Sequence, residues 1–158
     1  MRRQVSAVWL ALAGWCGWAQ GQTCAIREIS PDESVTGSLA ASDCRVRNLV
    51  PGSRADTYVH QYRLTATARG VVTIDLGSNA FDAYLYVYSL AYEGIASNDN
   101  ASGDTRDARI ALAVAPGTYI VMVSSKSVAT GAYTLKTSSA PLRDCPTVDL
   151  VLGETAQG

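Results

Sequence analysis

Hydrophobic residues in this chain recur at every second position, and that spacing restricts it to strands that bury one face. Residues 71–76 read V-V-T-I-D-L, placing Val72, Ile74 and Leu76 on one side and Thr73 and Asp75 on the other. Residues 84–88 set Leu85 and Val87 against Tyr84, Tyr86 and Tyr88. Residues 109–114 and 118–124 are apolar runs joined by Ala115-Pro116-Gly117, which reads as a hairpin-like turn. Residues 132–137 follow Gly131, and residues 58–67 read as a longer polar strand. Successive side chains of a strand point to opposite faces, so this patterning between Gly, Pro, Asn and Asp signals is that of strands. No stretch after residue 21 carries a 3.6-residue period. The expected fold is all-β: about seven or eight short strands in an antiparallel β-sandwich, because a sheet with one apolar face must bury it against another.

The first residues belong to a different kind of segment. Arg2 and Arg3 precede an apolar run over residues 5–18, followed by the small residues Ala19 and Gly21. That order is a secretory signal peptide, expected over residues 1–21. The run falls short of the roughly 20 apolar residues a membrane span needs, so no stable span is expected after cleavage. Trp15, directly before Cys16, departs from the small residue that precedes a lipidated cysteine. Loss of Arg2 and Arg3 leaves 11 basic residues against 14 acidic ones, a net charge near −3. No basic cluster stands out, which removes nucleic acid and anionic membrane surfaces as partners. The expected location is the periplasm or the extracellular space.

Export changes the meaning of the cysteines. With Cys16 gone, Cys24, Cys44 and Cys145 remain. Cys24 and Cys44 are expected to form a disulfide, closing a loop worth on the order of 3 kcal/mol. Cys145 is explained by a repeat. Gly158 follows it by the same interval that separates Gly37 from Cys24, and Leu150, Glu154, Thr155 and Ala156 fall opposite Ile29, Glu33, Ser34 and Val35. Residues 145–158 therefore read as the start of a second copy, cut short at Gly158. The expected organisation is a signal peptide over 1–21, a β-sandwich domain over 22–137, a linker over 138–144, and the second copy from 145.

An ordered series of short motifs adds a family resemblance. It runs Phe81-Asp82-Ala83-Tyr84-Leu85-Tyr86-Val87, Ile95-Ala96-Ser97-Asn98-Asp99-Asn100, Asp107-Ala108-Arg109-Ile110, Pro116-Gly117-Thr118-Tyr119 and Thr130-Gly131-Ala132-Tyr133-Thr134-Leu135. Gly37-Ser38-Leu39, Ser42-Asp43-Cys44 and Ala55-Asp56-Thr57-Tyr58 fit upstream. This succession, from about Cys24 to Thr137, resembles the bacterial pre-peptidase C-terminal domain family. The resemblance implies a jelly-roll-like sandwich without catalytic activity, appended to secreted hydrolases. It also implies calcium binding in some relatives, and attachment to insoluble substrates such as collagen in others. Here the signal peptide leads straight into the module, so a catalytic domain, if present, would follow Gly158.

Three constellations are candidates for chemistry. His60, the one histidine, lies in a polar strand with no G-x-S-x-G nucleophile elbow, and reads as structural rather than catalytic. The loop Asn98-Asp99-Asn100-Ala101-Ser102-Gly103-Asp104 opens like an EF-hand but has Arg109 where the bidentate Glu belongs. Calcium is the cofactor this loop admits, through Asp99, Asp104 and Asp107 with Asp82, against the plain alternative of turn-forming residues. Tyr84, Tyr86 and Tyr88 share a face and are the candidate ligand-binding residues, against the alternative of cross-strand packing. The expected function is a non-catalytic accessory module that stabilises, spaces or docks an extracytoplasmic partner or hydrolase. The alternatives are an extracellular polymer-binding module, or the leading part of a secreted peptidase.

Overall fold

The computed structural model describes residues 24–47, 49 and 55–142, and within them the expected all-β fold forms. The strands among the described residues are β1 (Ile26–Ile29), β2 (Ser34–Leu39), β3 (Arg45–Arg47), β4 (Asp56–Tyr58), β5 (His60–Ala66), β6 (Gly70–Gly77), β7 (Ala83–Ser89), β8 (Gly94–Asn98), β9 (Ala108–Val114), β10 (Gly117–Ser125) and β11 (Gly131–Pro141). One sheet has the order β1-β5-β10-β7-β8, the other β2-β11-β6-β9, and β3 with β4 makes a separate two-stranded ribbon. All these ladders are antiparallel except that of β1, which runs parallel to β5.

The alternation decides what meets in the middle. Along β6, Val72, Ile74 and Leu76 are buried while Val71, Thr73 and Asp75 are only half-covered. Leu64, Leu85, Val87, Val121 and Val123 face them from the five-stranded sheet, and Leu39, Ile110 and Leu135 complete the layer. Each such side chain contributes about 1.5–3 kcal/mol by leaving water. The Cys24–Cys44 disulfide forms as expected, with a Cα–Cα separation of 5.5 Å.

Three expectations about connections need correction. Residues 58–67 are not one strand: β4 ends at Tyr58 and β5 begins at His60, because the Val59 amide turns aside to donate to the Cys44 carbonyl at 2.9 Å. The Ala115-Pro116-Gly117 turn does not close a hairpin. β9 pairs with β6 in one sheet and β10 with β5 and β7 in the other, so this turn carries the chain between layers. Finally, the expected linker from residue 138 is in part strand. Ser138, Ser139, Ala140 and Pro141 stay in register with Thr73, Val72, Val71 and Gly70. Asp32, at φ 63°, accepts from both the amide and the hydroxyl of Ser139 at 2.7 Å. The signal peptide, the rest of the linker and the repeat from Cys145 lie outside the described residues.

Candidate functional site

The tyrosines of β7 project from the outer face of their sheet, as alternation requires, yet most of that face is covered. Leu49 packs there with Val59, Tyr84, Tyr86 and Met122, joined by Cys44 and Val46, to form a second apolar cluster. Tyr86 is 6% exposed, and its hydroxyl donates to the Leu49 carbonyl. Burial, and then the neighbouring Tyr84, pushes the Tyr86 phenol far above its ordinary pKa. Ring centroids step along the face at 4.6 Å from Tyr84 to Tyr86, 6.0 Å to Tyr88 and 6.3 Å to Tyr92. Of the three expected ligand-binding tyrosines, Tyr84 and Tyr86 are thus interior. An outer face this apolar is covered by the segment that the disulfide holds over it.

The ladder opens only at its far end. Tyr88 is half-buried and Tyr92 is 50% exposed. Tyr92 sits at φ 60° in the β7–β8 turn, and its hydroxyl donates to Gln61 Oε1 at 2.8 Å. Ser89 holds that turn: its amide donates to the Glu93 carbonyl at 2.9 Å, and its hydroxyl accepts from the Ala91 and Glu93 amides, each at 3.2 Å. A groove of about 330 Å³ lies alongside, walled by Tyr86, Tyr88, Ile95 and Ser97. Ile95 is exposed in its wall, and Leu90 is exposed in the β7–β8 turn. Tyr92 stands outside the period-two pattern, so strand alternation could not flag it.

The acidic loop is occupied by its own contacts. Asp99 Oδ2 pairs with Lys126 Nζ at 2.7 Å, which raises the lysine pKa. Asp107 Oδ1 accepts from the Ser78 amide at 3.2 Å, and Asp104 is exposed in a turn beside Gly103 at φ 49°. Asp82 accepts the Lys126 amide on its carbonyl at 2.8 Å, while its side-chain Oδ1 is buried without a hydrogen-bond partner. The asparagines also serve the loop: Asn98 Oδ1 accepts from the Arg109 amide at 3.0 Å, and Asn100 Nδ2 donates to the Thr105 carbonyl at 2.5 Å. Among the described residues, no three His, Cys, Asp or Glu side chains lie close enough to hold one metal ion. The expected four-aspartate set is therefore not brought together.

His60 is 8% exposed and joins a connected polar cluster. Its Nε2 lies 3.0 Å from Asp43 Oδ2, an oxygen that also accepts from the Ala40 amide at 2.6 Å. Its Nδ1 receives the Arg27 guanidinium at 3.0 Å and the Tyr133 hydroxyl at 2.7 Å. Tyr62 adds a hydroxyl 2.6 Å from that of Tyr133, and Arg27 reaches it at 3.4 Å. Burial and the adjacent Arg27 charge lower the histidine pKa, with Asp43 opposing them. The Arg27 pKa is raised, chiefly by its bond to Tyr62. Among the described residues, no serine, threonine or cysteine is bonded to the imidazole, so the hydrogen bonds of a nucleophile–base pair are not made there.

These features define a disulfide-stapled β-sandwich module whose aromatic and polar clusters are mostly turned inward. Residues 58–125 match the family model of the bacterial pre-peptidase C-terminal domain. The upstream motifs and the Thr130–Leu135 motif fall outside that span. Among solved structures, the pre-peptidase C-terminal domain of collagenase from Bacillus anthracis is similar with a TM-score of 0.56 and 12% identity, over 75% of this chain and 99% of that one. Aeromonas hydrophila PliG, a periplasmic lysozyme inhibitor of g-type lysozyme, gives a TM-score of 0.49 and 17% identity, over 73% of this chain and 97% of that one. No curated protein matches the chain. Among the described residues, no helix is long and apolar enough to cross a membrane.

Proposed function

We propose that this chain provides a non-catalytic accessory module of an exported bacterial protein, one that stabilises, spaces or docks an extracytoplasmic partner or hydrolase. The observation that carries this reading is the family match over residues 58–125, laid on a sandwich stapled by a disulfide. A disulfide is the bond of an oxidising compartment, in keeping with the leader read over residues 1–21. The inward-facing His60 cluster supports the absence of catalysis, since its ring nitrogens are engaged by Asp43, Arg27 and Tyr133. The test is to assay the purified disulfide-bonded chain against fluorogenic ester, peptide and glycoside substrates. No turnover above buffer is expected. Turnover that disappears in His60→Gln, with folding retained, would overturn the reading.

A second reading, polymer binding, is favoured by one observation: the tyrosine ladder ends in an exposed ring at Tyr92 beside the Tyr88 groove. Tyrosine offers flat apolar area with a polar tip, suited to a sugar ring or a fibrous protein. Retention on collagen, cellulose or chitin that is lost in Tyr92→Ala and kept in Leu90→Ala would support it. Free passage of the wild type over all three would reject it for those ligands.

A further inference from the structure

Arg27 sets the tautomer of the neutral His60 ring. A guanidinium has donors and no acceptor. Arg27 Nη1 lies 3.0 Å from His60 Nδ1, so that nitrogen must carry a lone pair. The ring proton then sits on Nε2, where it donates to Asp43 Oδ2 at 3.0 Å. The Tyr133 hydroxyl of β11 lies 2.7 Å from the same nitrogen and shares its one lone pair with Arg27, and Tyr62, also on β5, bonds to Tyr133. Arg27, Asp43, Tyr62 and Tyr133 are the titratable groups bonded into this cluster.

A proton added at Nδ1 cannot be shared evenly. Asp43 keeps its bond and gains an opposite charge. The Tyr133 hydroxyl can turn and accept. Arg27 can do neither, and it faces an imidazolium across one hydrogen-bond length. The repulsion falls on Arg27, an exposed residue of β1, and β1 is a four-residue edge strand joined to the sheet by its ladder with β5 alone. Ile29 of β1 is buried, so displacement of the strand uncovers core as well as the open edge of β5.

We infer that His60 is a proton-operated latch on β1: the neutral ring holds Arg27 and seats the edge strand, and the protonated ring expels Arg27 and loosens it. The opposite side of the ring, at Asp43 and the segment leading to Cys44, stays fastened through the same step. Acid outside the cytoplasm would thus open one defined edge of the sandwich while the Cys24–Cys44 disulfide keeps the strand attached.

The test is hydrogen–deuterium exchange of the full disulfide-bonded chain, corrected for intrinsic exchange, in steps from pH 7.5 to 4.5. The amides of residues 26–29 should gain up to about tenfold in exchange for each pH unit between the ordinary histidine pKa of 6.5 and the lower folded value, and level off beneath it. Those of residues 40–43 should hold until carboxylates titrate. Since the chain has one histidine, its imidazole proton resonance gives that pKa without ambiguity. His60→Gln should make β1 exchange independent of pH over this range. Arg27→Gln should raise the histidine pKa toward its ordinary value, a readout that survives if His60→Gln does not fold. β1 protection unchanged to pH 4.5 in the wild type while the histidine titrates, loosening that begins at residues 40–43, or a histidine pKa indifferent to Arg27→Gln would each overturn the latch.

Discussion

At His60 the charges on either side of the ring pull its pKa in opposite directions, and burial together with Arg27 outweighs Asp43. The sign for stability follows. With the folded pKa below the ordinary 6.5, the unfolded chain binds the proton first as the pH falls. The contribution is therefore fully present above that value, drains as the pH drops through the window between the two pKa values, and levels off beneath it. Thermal melts should show a flat Tm above about pH 6.5 and a decline below it, and His60→Gln should remove the first part of that decline. Tyr133 imposes a second residue-scale constraint. Its ring lies where a Cβ on Gly37 would have to go, well inside van der Waals contact. Gly37→Ala should cost about 1–3 kcal/mol through overpacking, measured by urea unfolding. The sequence disclosed His60 as a structural strand histidine and nothing of its neighbours. Arg27 is 33 residues away and Tyr133 is 73, and no local pattern couples residues across two sheets.

Strands with an apolar face could be read directly, and short strands that stay mostly exposed could not. β6, β7 and β9 announce themselves because Val, Leu and Ile recur at period two, and β10 as an unbroken apolar run, whereas β1, β3 and β8 are short and mostly exposed. The same reasoning left the outer face of β7 open between packing and ligand binding. Alternation says which way Tyr84 and Tyr86 point, but not that the segment containing Cys44, Val46 and Leu49 lies over them. That cover makes two predictions. Tyr86→Phe, which deletes only the hydroxyl bonded to the Leu49 carbonyl, should cost about 1 kcal/mol, and Tyr86→Ala, which leaves a cavity, about 3–5 kcal/mol. Equal effects of the two in urea unfolding would mean that the ring packs against nothing. The disulfide anchors the beginning of this cover. Replacing both Cys24 and Cys44 by Ser should lower stability by about 3 kcal/mol. Reducing agent should do the same to the wild type and nothing further to the double variant.

Across the whole molecule, the chain passes from one layer to the other at nearly every turn. Of the two main sheets, only β7 and β8 are both consecutive in sequence and paired. Period-two patterning predicts a sandwich but not which strands share a sheet, which is why the Ala115-Pro116-Gly117 turn looked like a hairpin and is a crossover. The same ignorance of pairing placed the end of the domain too early, at residue 137. Small polar residues with a proline resemble a linker as long as their backbone partners are unknown. Here Ser138–Pro141 complete a ladder with Gly70–Thr73, and Ser139 is gripped by Asp32 from the turn between β1 and β2. The last residues of β11 thus fasten one end of the sandwich, joining the first turn of the domain to its final strand. Ending the chain after Leu142 should leave Tm within about 2 °C of the full-length value. Ending it after Thr137 should lower Tm by about 8–15 °C, the equivalent of roughly 2–4 kcal/mol for a domain of this size. Serine at 139 can be separated from the strand itself, because Ser139→Ala removes the hydroxyl bond to Asp32 and leaves the amide bond and the ladder. If the shorter chain melted with the longer one, β11 beyond Thr137 would be an ornament of the sheet rather than part of its closure.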